Sequence, residues 1–175
     1  VFIAEGVYNQ VVKVKKSVHI FGGYVATTGE RNPELYHTIL DGTNLNTTLL
    51  TQSSAFKDTT CFDGLILQNA SHTSAGGAVV LKAKGVLRNA TIRNCYTEGN
   101  AGGVSNAGGV VSCCIIELCE AIGSGGAVHN MGGVVENTII RGCKGNYAAI
   151  RNESQGIVRN CLLHNNEPSN SAWPN

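Results

Sequence analysis

Twelve carboxylates, seven thiols and five histidines are the groups in this 175-residue chain most able to do chemistry, and their spacing limits what they can do. Hydrolysis of a glycosidic bond needs two carboxylates a few ångströms apart. A Ca²⁺ site needs six to eight oxygens, several of them from carboxylates. The chain has three Asp: Asp41, Asp58 and Asp63. Asp41 and Asp63 each precede Gly and read as turn residues. Glu98, Glu117, Glu120, Glu136 and Glu153 fall at unrelated positions of the repeat described below. Glu98, Glu120 and Asp63 lie nearest the bends, so they are the carboxylates to examine first if turnover were found. Lys82 and Lys84 bracket a short insertion and read as solvated edge charges. His129 reads as lying in a one-residue insertion, and neither it nor His164 has an evident Ser or Asp partner. Cys113, Cys114 and Cys119 lack zinc-site spacing, and adjacent strand residues face opposite ways. No catalytic, cofactor or metal residue is therefore assigned. Tyr96 and Tyr147 follow cysteine steps by one and four residues. They form the candidate ligand surface, flanking one groove on which a saccharide ring could stack.

These side chains sit on a repeat. Gly85-Val86-Leu87-Arg88-Asn89, Gly109-Val110-Val111-Ser112-Cys113, Gly133-Val134-Val135-Glu136-Asn137 and Gly156-Ile157-Val158-Arg159-Asn160 recur at offsets of 24, 24 and 23 residues. A fixed period of this length means stacked units. Short β-branched runs split by Gly and Asn, with no helical period, make each unit one coil of a parallel β-helix. Within the register, Leu87, Val111, Val135 and Val158 form one inward column. Ile92, Ile116, Ile140 and Leu163 form a second. Ala90, Cys114, Thr138 and Cys161 form a third, and Cys95, Cys119, Cys143 and Asn166 a fourth. Buried thiols behave as small hydrophobes, so the cysteines are expected reduced and stacked, not in a disulfide framework. Asn89, Cys113, Asn137 and Asn160 mark sharp bends, where Asn tolerates left-handed backbone and its amide can form a ladder between coils. Arg93, Glu117, Arg141 and His164 make an outward charge column, and Arg88, Ser112, Glu136 and Arg159 another. Glycine pairs Gly76-Gly77, Gly102-Gly103 and Gly125-Gly126, with Ala148-Ala149, provide a second turn in each coil.

The N-terminal third is less regular. Val1–Ala4, Val11–Val14, Val18–Phe21, Thr38–Leu40, Thr47–Leu50 and Cys61–Leu67 read as strands, and residues 26–36 as a polar loop. Phe62-Asp63-Gly64-Leu65-Ile66 resembles a diverged copy of the repeat. The fold class expected is all-β, a right-handed single-stranded parallel β-helix of about seven coils. One domain spans 1–175, with irregular coils over 1–75, regular coils over 76–166 and a tail over 167–175. A start at Val1 with no initiator Met reads as a fragment or processed product. Net charge is +1 and glycine is 22 of 175 residues, which fits turn-dense β structure and gives no argument for nucleic acid. No apolar run is long enough for a transmembrane helix. Asn46, Asn69, Asn89 and Asn152 each begin an Asn-x-Ser/Thr triplet.

Val1-Phe2-Ile3-Ala4-Glu5-Gly6-Val7-Tyr8, Ile20-Phe21-Gly22-Gly23-Tyr24, Arg31-Asn32-Pro33 and Thr38-Ile39-Leu40-Asp41-Gly42, followed by the Gly-Gly-Ala and Asn-Cys-x-Ile segments, resemble right-handed parallel β-helix proteins secreted by Bacteroidetes. The Gly-Gly-Ala steps also resemble polymorphic outer-membrane protein repeats of chlamydiae, although the Phe-x-x-Asn tetrapeptide of those repeats is replaced here by Arg93-Asn94-Cys95. The resemblance covers nearly the whole chain. It implies an extracellular or cell-surface, outer-membrane-associated setting and a longer parent protein. The fold hosts pectin and alginate lyases, glycosidases and non-catalytic adhesins. With no carboxylate cluster, the expectation is a non-catalytic scaffold, adhesin or glycan-contact surface whose partner is a polysaccharide or another surface protein. Two other readings stay open: a polysaccharide lyase or hydrolase with active residues partly outside this chain, and an accessory subunit of a surface assembly.

Overall fold

A computed structural model of the chain describes residues 1–74, 76–147 and 149–168. It is a parallel β-solenoid of about seven turns. The turns run through parallel sheets A, B and C, and from the third turn on through a fourth, D. Sheet A stacks Phe2–Ala4, His19–Tyr24, Thr60–Asp63, Gly85–Arg88, Val110–Ser112, Val134–Glu136 and Ile157–Arg159. Sheet B stacks Gly6–Tyr8, Thr38–Asp41, Leu65–Gln68, Thr91–Arg93, Ile115–Glu117, Ile139–Arg141 and Leu162–His164. Sheet C runs from Val12–Val14 to Ile150–Glu153 in six strands, and a narrow sheet D of five two-residue strands runs from Ser71–His72 to Glu167–Pro168. Among the described residues no helix is long and apolar enough to cross a membrane.

The register is the one the repeat dictates. Leu87 pairs with Val111, Val111 with Val135 and Val135 with Val158. Ile92, Ile116, Ile140 and Leu163 align likewise. Leu87, Ile92, Val111, Ile116, Val135 and Ile140 have no solvent exposure, and full burial of such a side chain is worth roughly 1.5–3 kcal/mol. The diverged copy is in register too, Phe62 under Leu87 and Asp63 under Arg88. Cys95, Cys119 and Cys143 are buried free thiols, as is Cys114. Cys119 is held well above its ordinary pKa by hydrogen bonds with the Cys143 and Cys95 sulfurs and then by burial. Burial pushes Cys114 up to about 12.

The bends fall where expected, with φ of 48° at Asn89, 53° at Cys113, 50° at Asn137 and 52° at Asn160. The amide ladder does not. It runs through the sheet C column Asn106, Asn130 and Asn152, where Asn106 Nδ2 donates to Asn130 Oδ1 at 2.8 Å and Asn130 Nδ2 to Asn152 Oδ1 at 2.7 Å. Asn106 and Asn130 are fully buried, so their amides must find partners; the bend asparagines are exposed and need none. The same column corrects the glycine steps. Val79, Val104, Val128 and Ile150 align, so Gly126-Ala127, not Gly125-Gly126, matches Gly102-Gly103. His129 then sits in register between Ser105 and Arg151, with no insertion.

Other expectations shift at the irregular end. Gly6–Tyr8 is an additional strand, the third strand extends through Gly22 and Gly23 to Tyr24, and Thr47–Leu50 is replaced by Leu50–Gln52. The run Cys61–Leu67 is two strands turned at Gly64, whose φ is +71°. The tail keeps the pattern as far as Glu167–Pro168, which pairs with Lys144–Gly145; residues 169–175 lie outside the described residues.

Candidate functional site: a groove beside the 25–37 segment

A groove of about 580 Å³ lies at the corner between sheets A and B. Its floor is the outward column of sheet B, where Ile66, Thr91 and Ile115 stack coil on coil. Its corner is formed by Asn89 and Cys113 at two successive bends, and its wall by Arg31, Pro33, Glu34 and His37. The wall is the polar loop of the sequence reading, folded back on the solenoid.

One buried carboxylate fixes that wall. Asp63, 2% exposed, accepts from Arg31 Nη2 at 2.7 Å and from Arg88 Nε at 2.6 Å, with Asn89 Nδ2 at 3.3 Å. Burial alone would raise the Asp63 pKa, but these hydrogen bonds outweigh it and hold the carboxyl below its ordinary value. Asp63 is thus not the turn residue expected from Asp-Gly; it ends a strand and ties the loop to it. Arg31 Nε also donates to the Gly22 carbonyl at 3.0 Å, and its guanidinium lies 5.6 Å and 5.8 Å from the Phe21 and Tyr24 ring centroids. Pro33 closes the contact. A Cβ on Gly23 would lie 2.6 Å from Pro33 Cα, and one on Gly64 would lie 2.9 Å from Pro33 Cβ. Both glycines also have left-handed φ, so these positions admit little else.

Several other carboxylates are engaged as well. Asp41 does serve its turn, accepting from Thr43 N at 2.8 Å, and also takes Gln68 Nε2 at 2.6 Å and Asn69 Nδ2. Burial opposes its ionisation, but the hydrogen bonds prevail and set its pKa at about 2. Arg141 donates to Glu117 Oε2 at 2.6 Å and Arg159 to Glu136 Oε2 at 2.6 Å. Arg93 aligns with Glu117 as expected but gives its hydrogen bonds to Gln68 Oε1. Glu153 pairs with His129 Nε2 at 2.6 Å and with Arg151 at 3.0 Å; the His129 bond, ahead of the Arg151 charge, overcomes desolvation and lowers its pKa. His129 therefore has a carboxylate partner that the assumed insertion concealed, because correct pairing places Glu153 one coil on and two residues along. Lys84 caps a bend at φ 62° and donates to the Lys57 carbonyl. Glu98 is exposed, and Glu120 pairs in sheet D between Tyr96 and Lys144.

Tyr96 lies in that same sheet D column, above Ser71. Tyr147 is exposed, two coils further on, with the Arg151 guanidinium 5.7 Å from its ring centroid. It borders a hollow with Ile150, Leu163 and Asn166 that does not include Tyr96. Nothing in the tyrosine spacing pointed to the corner groove. The signal that could have found it was Asp63 aligned under Arg88, with Arg31-Asn32-Pro33 the charged partner in the long loop.

No family model, no curated protein and no solved structure matches the chain. What the fold and groove define is a class, a parallel β-solenoid with a lateral cleft.

Proposed function

We propose that this chain is a non-catalytic, extracellular or cell-surface β-helix module that holds a polysaccharide chain along the groove between sheets A and B. The observation that carries the reading is the groove's repetition. Gly64–Ile66, Asn89–Thr91, and Cys113 with Ile115 bring equivalent positions of three successive coils to the groove, roughly 4.8 Å apart, with Ile66 and Ile115 on either side of Thr91. An extended polymer with mixed apolar and hydroxyl surface fits such a floor. The carboxylates support a binding role over a catalytic one. A glycosidase's general acid is a carboxyl held above its ordinary pKa, and the tightly hydrogen-bonded Asp41, Asp63 and Glu153 are displaced the other way. The right-handed coil and the Bacteroidetes-type secreted setting belong to the same proposal, resting on the motif resemblance.

Binding of neutral and uronate-containing polysaccharides, measured by titration calorimetry or on an array, tests it. Thr91→Arg or Ile115→Arg fills the floor and is expected to abolish binding, while no unsaturated product or new reducing end accumulates. Binding lost with Tyr96→Ala or Tyr147→Ala but kept in the floor variants would move the site to the tyrosines. Turnover that depends on one carboxylate would refute the scaffold reading.

A further inference from the structure

The outer face of sheet A carries two straight columns. Cys61, Val86, Val110, Val134 and Ile157 form an apolar one, and Asp63, Arg88, Ser112, Glu136 and Arg159 a polar one. The polar column is a charge palindrome about Ser112. Arg88 one coil below is answered by Glu136 one coil above, and Asp63 two below by Arg159 two above. We propose that this face is a self-association surface, on which a second copy of the chain packs about a two-fold axis running along the strand Val110–Ser112.

The columns select that axis. A two-fold along the strands reverses the coil order but keeps each column opposite itself. Val110 then meets Val110 of the second copy, Val86 meets Val134, and Arg88 meets Glu136. A two-fold along the solenoid axis keeps the coil order, so it would set each charge of the polar column against its own like, against the apolar column, or against no charge of that column, according to where the axis lies. Open valences lie where the first arrangement needs them. Among the described residues Arg88 spends only Nε, on Asp63, and its side chain remains 48% exposed. Glu136 receives both Arg159 bonds on Oε2, which leaves Oε1 for an incoming guanidinium. Asp63, opposite Arg159, is already held by Arg31 and Arg88 and sits at the margin of the contact. Sheet B also has an alternating charge column, but the same operation about its central Glu117 would set Arg93 against Arg141 and Glu117 against itself, like charge on like. The contact is isologous and small, which places it among weak, concentration-dependent interfaces. It does not rest on the polysaccharide reading, although Cys113 borders both this face and the neighbouring groove.

Sedimentation equilibrium of the whole chain from micromolar to millimolar concentration is expected to show a reversible monomer–dimer equilibrium. Val110→Asp sets two carboxylates face to face across the axis and should weaken association by at least about tenfold. Ile139→Asp, an outward substitution on sheet B, should leave it unchanged. A second readout needs no change at the contact: Cys113 is an exposed thiol at the end of the axial strand. A short bismaleimide should link two native chains through it, and Cys113→Ser should abolish the product. A monomer at millimolar concentration, a dimer indifferent to Val110→Asp, or no Cys113-dependent cross-link would each overturn the inference. If circular dichroism shows Val110→Asp to be unfolded, the cross-link decides alone.

Discussion

Among single residues, Asp63 and Asp41 do the most beyond packing, and each makes a separable prediction. Asp63→Ala leaves Arg31 and Arg88 without their shared acceptor, but both guanidiniums reach solvent and can rehydrate. The expected cost is therefore about 2 kcal/mol in urea melts, on the scale of a charged hydrogen bond. The groove wall should loosen with it, seen as faster amide exchange over residues 25–37. Asp41 predicts a pH effect whose sign follows from its depressed pKa. Its contribution is fully present above the unfolded value near pH 4 and is lost as pH falls through about 2. Asp41→Asn should lower stability at neutral pH, where the ionised carboxylate contributes in full, and flatten the acid limb in that window, so that the two proteins converge as pH falls towards 2. The thiols give a third outcome. In the native state Cys113 is exposed, while Cys95, Cys114, Cys119 and Cys143 are buried. A thiol reagent should modify Cys113 quickly and the buried four only after denaturant is added. Equal rates for all would refute the inward columns.

At the scale of strands and columns, the sequence was legible wherever like residues recur at the coil period. The aliphatic columns, the thiol column, the left-handed bends and the outward charges of 85–164 all follow from one offset rule, because parallel in-register pairing stacks a residue directly on its counterpart. Legibility failed where a coil carries an extra residue. Ala83-Lys84 and Ser154-Gln155 each lengthen a bend by one, and this slid the glycine steps, hiding both the asparagine ladder and the His129–Glu153 pair. The groove was illegible for a different reason. Arg31 reaches Asp63 across 32 positions from a loop with no counterpart in the other coils, so no periodicity exposes the contact. The columns rank as stabilisers accordingly. Ile116→Ala, in a position with no exposure, should cost about 2–5 kcal/mol, and Glu117→Ala, beside it on the outer face, about 0–1 kcal/mol. The reverse order would put Ile116 outside. Asn130→Ala should fall between them, since it removes a donor to Gly133 O and to Asn152 Oδ1 and leaves Asn106 Nδ2 one acceptor short.

Taken whole, the solenoid is a one-dimensional object in which each coil is stabilised by its two neighbours. The last described coil has one neighbour. Val158 and Leu163 are 37% and 49% exposed in columns where Val135 and Ile140 are fully buried. Hydrogen exchange in this chain should therefore be fastest over Ile157–His164 and slowest over Val110–Arg141, a gradient along the axis instead of a single protected core. A stack of near-equivalent rungs also makes length a quantised property of the gene. Loss of one residue inside a strand turns a column inside out, whereas loss of a whole period leaves every column intact. Excising residues 109–132 would join Gly108 to Gly133, set Val135 on Leu87, Ile140 on Ile92 and Cys143 on Cys95, and place Glu136 directly above Arg88. The only new quarrel would be Arg141 above Arg93, a like-charge contact at the surface. Such a shortened chain should still fold, which means that descent by adding and dropping coils is open to this protein while drift by single-residue insertion is largely closed outside its bends.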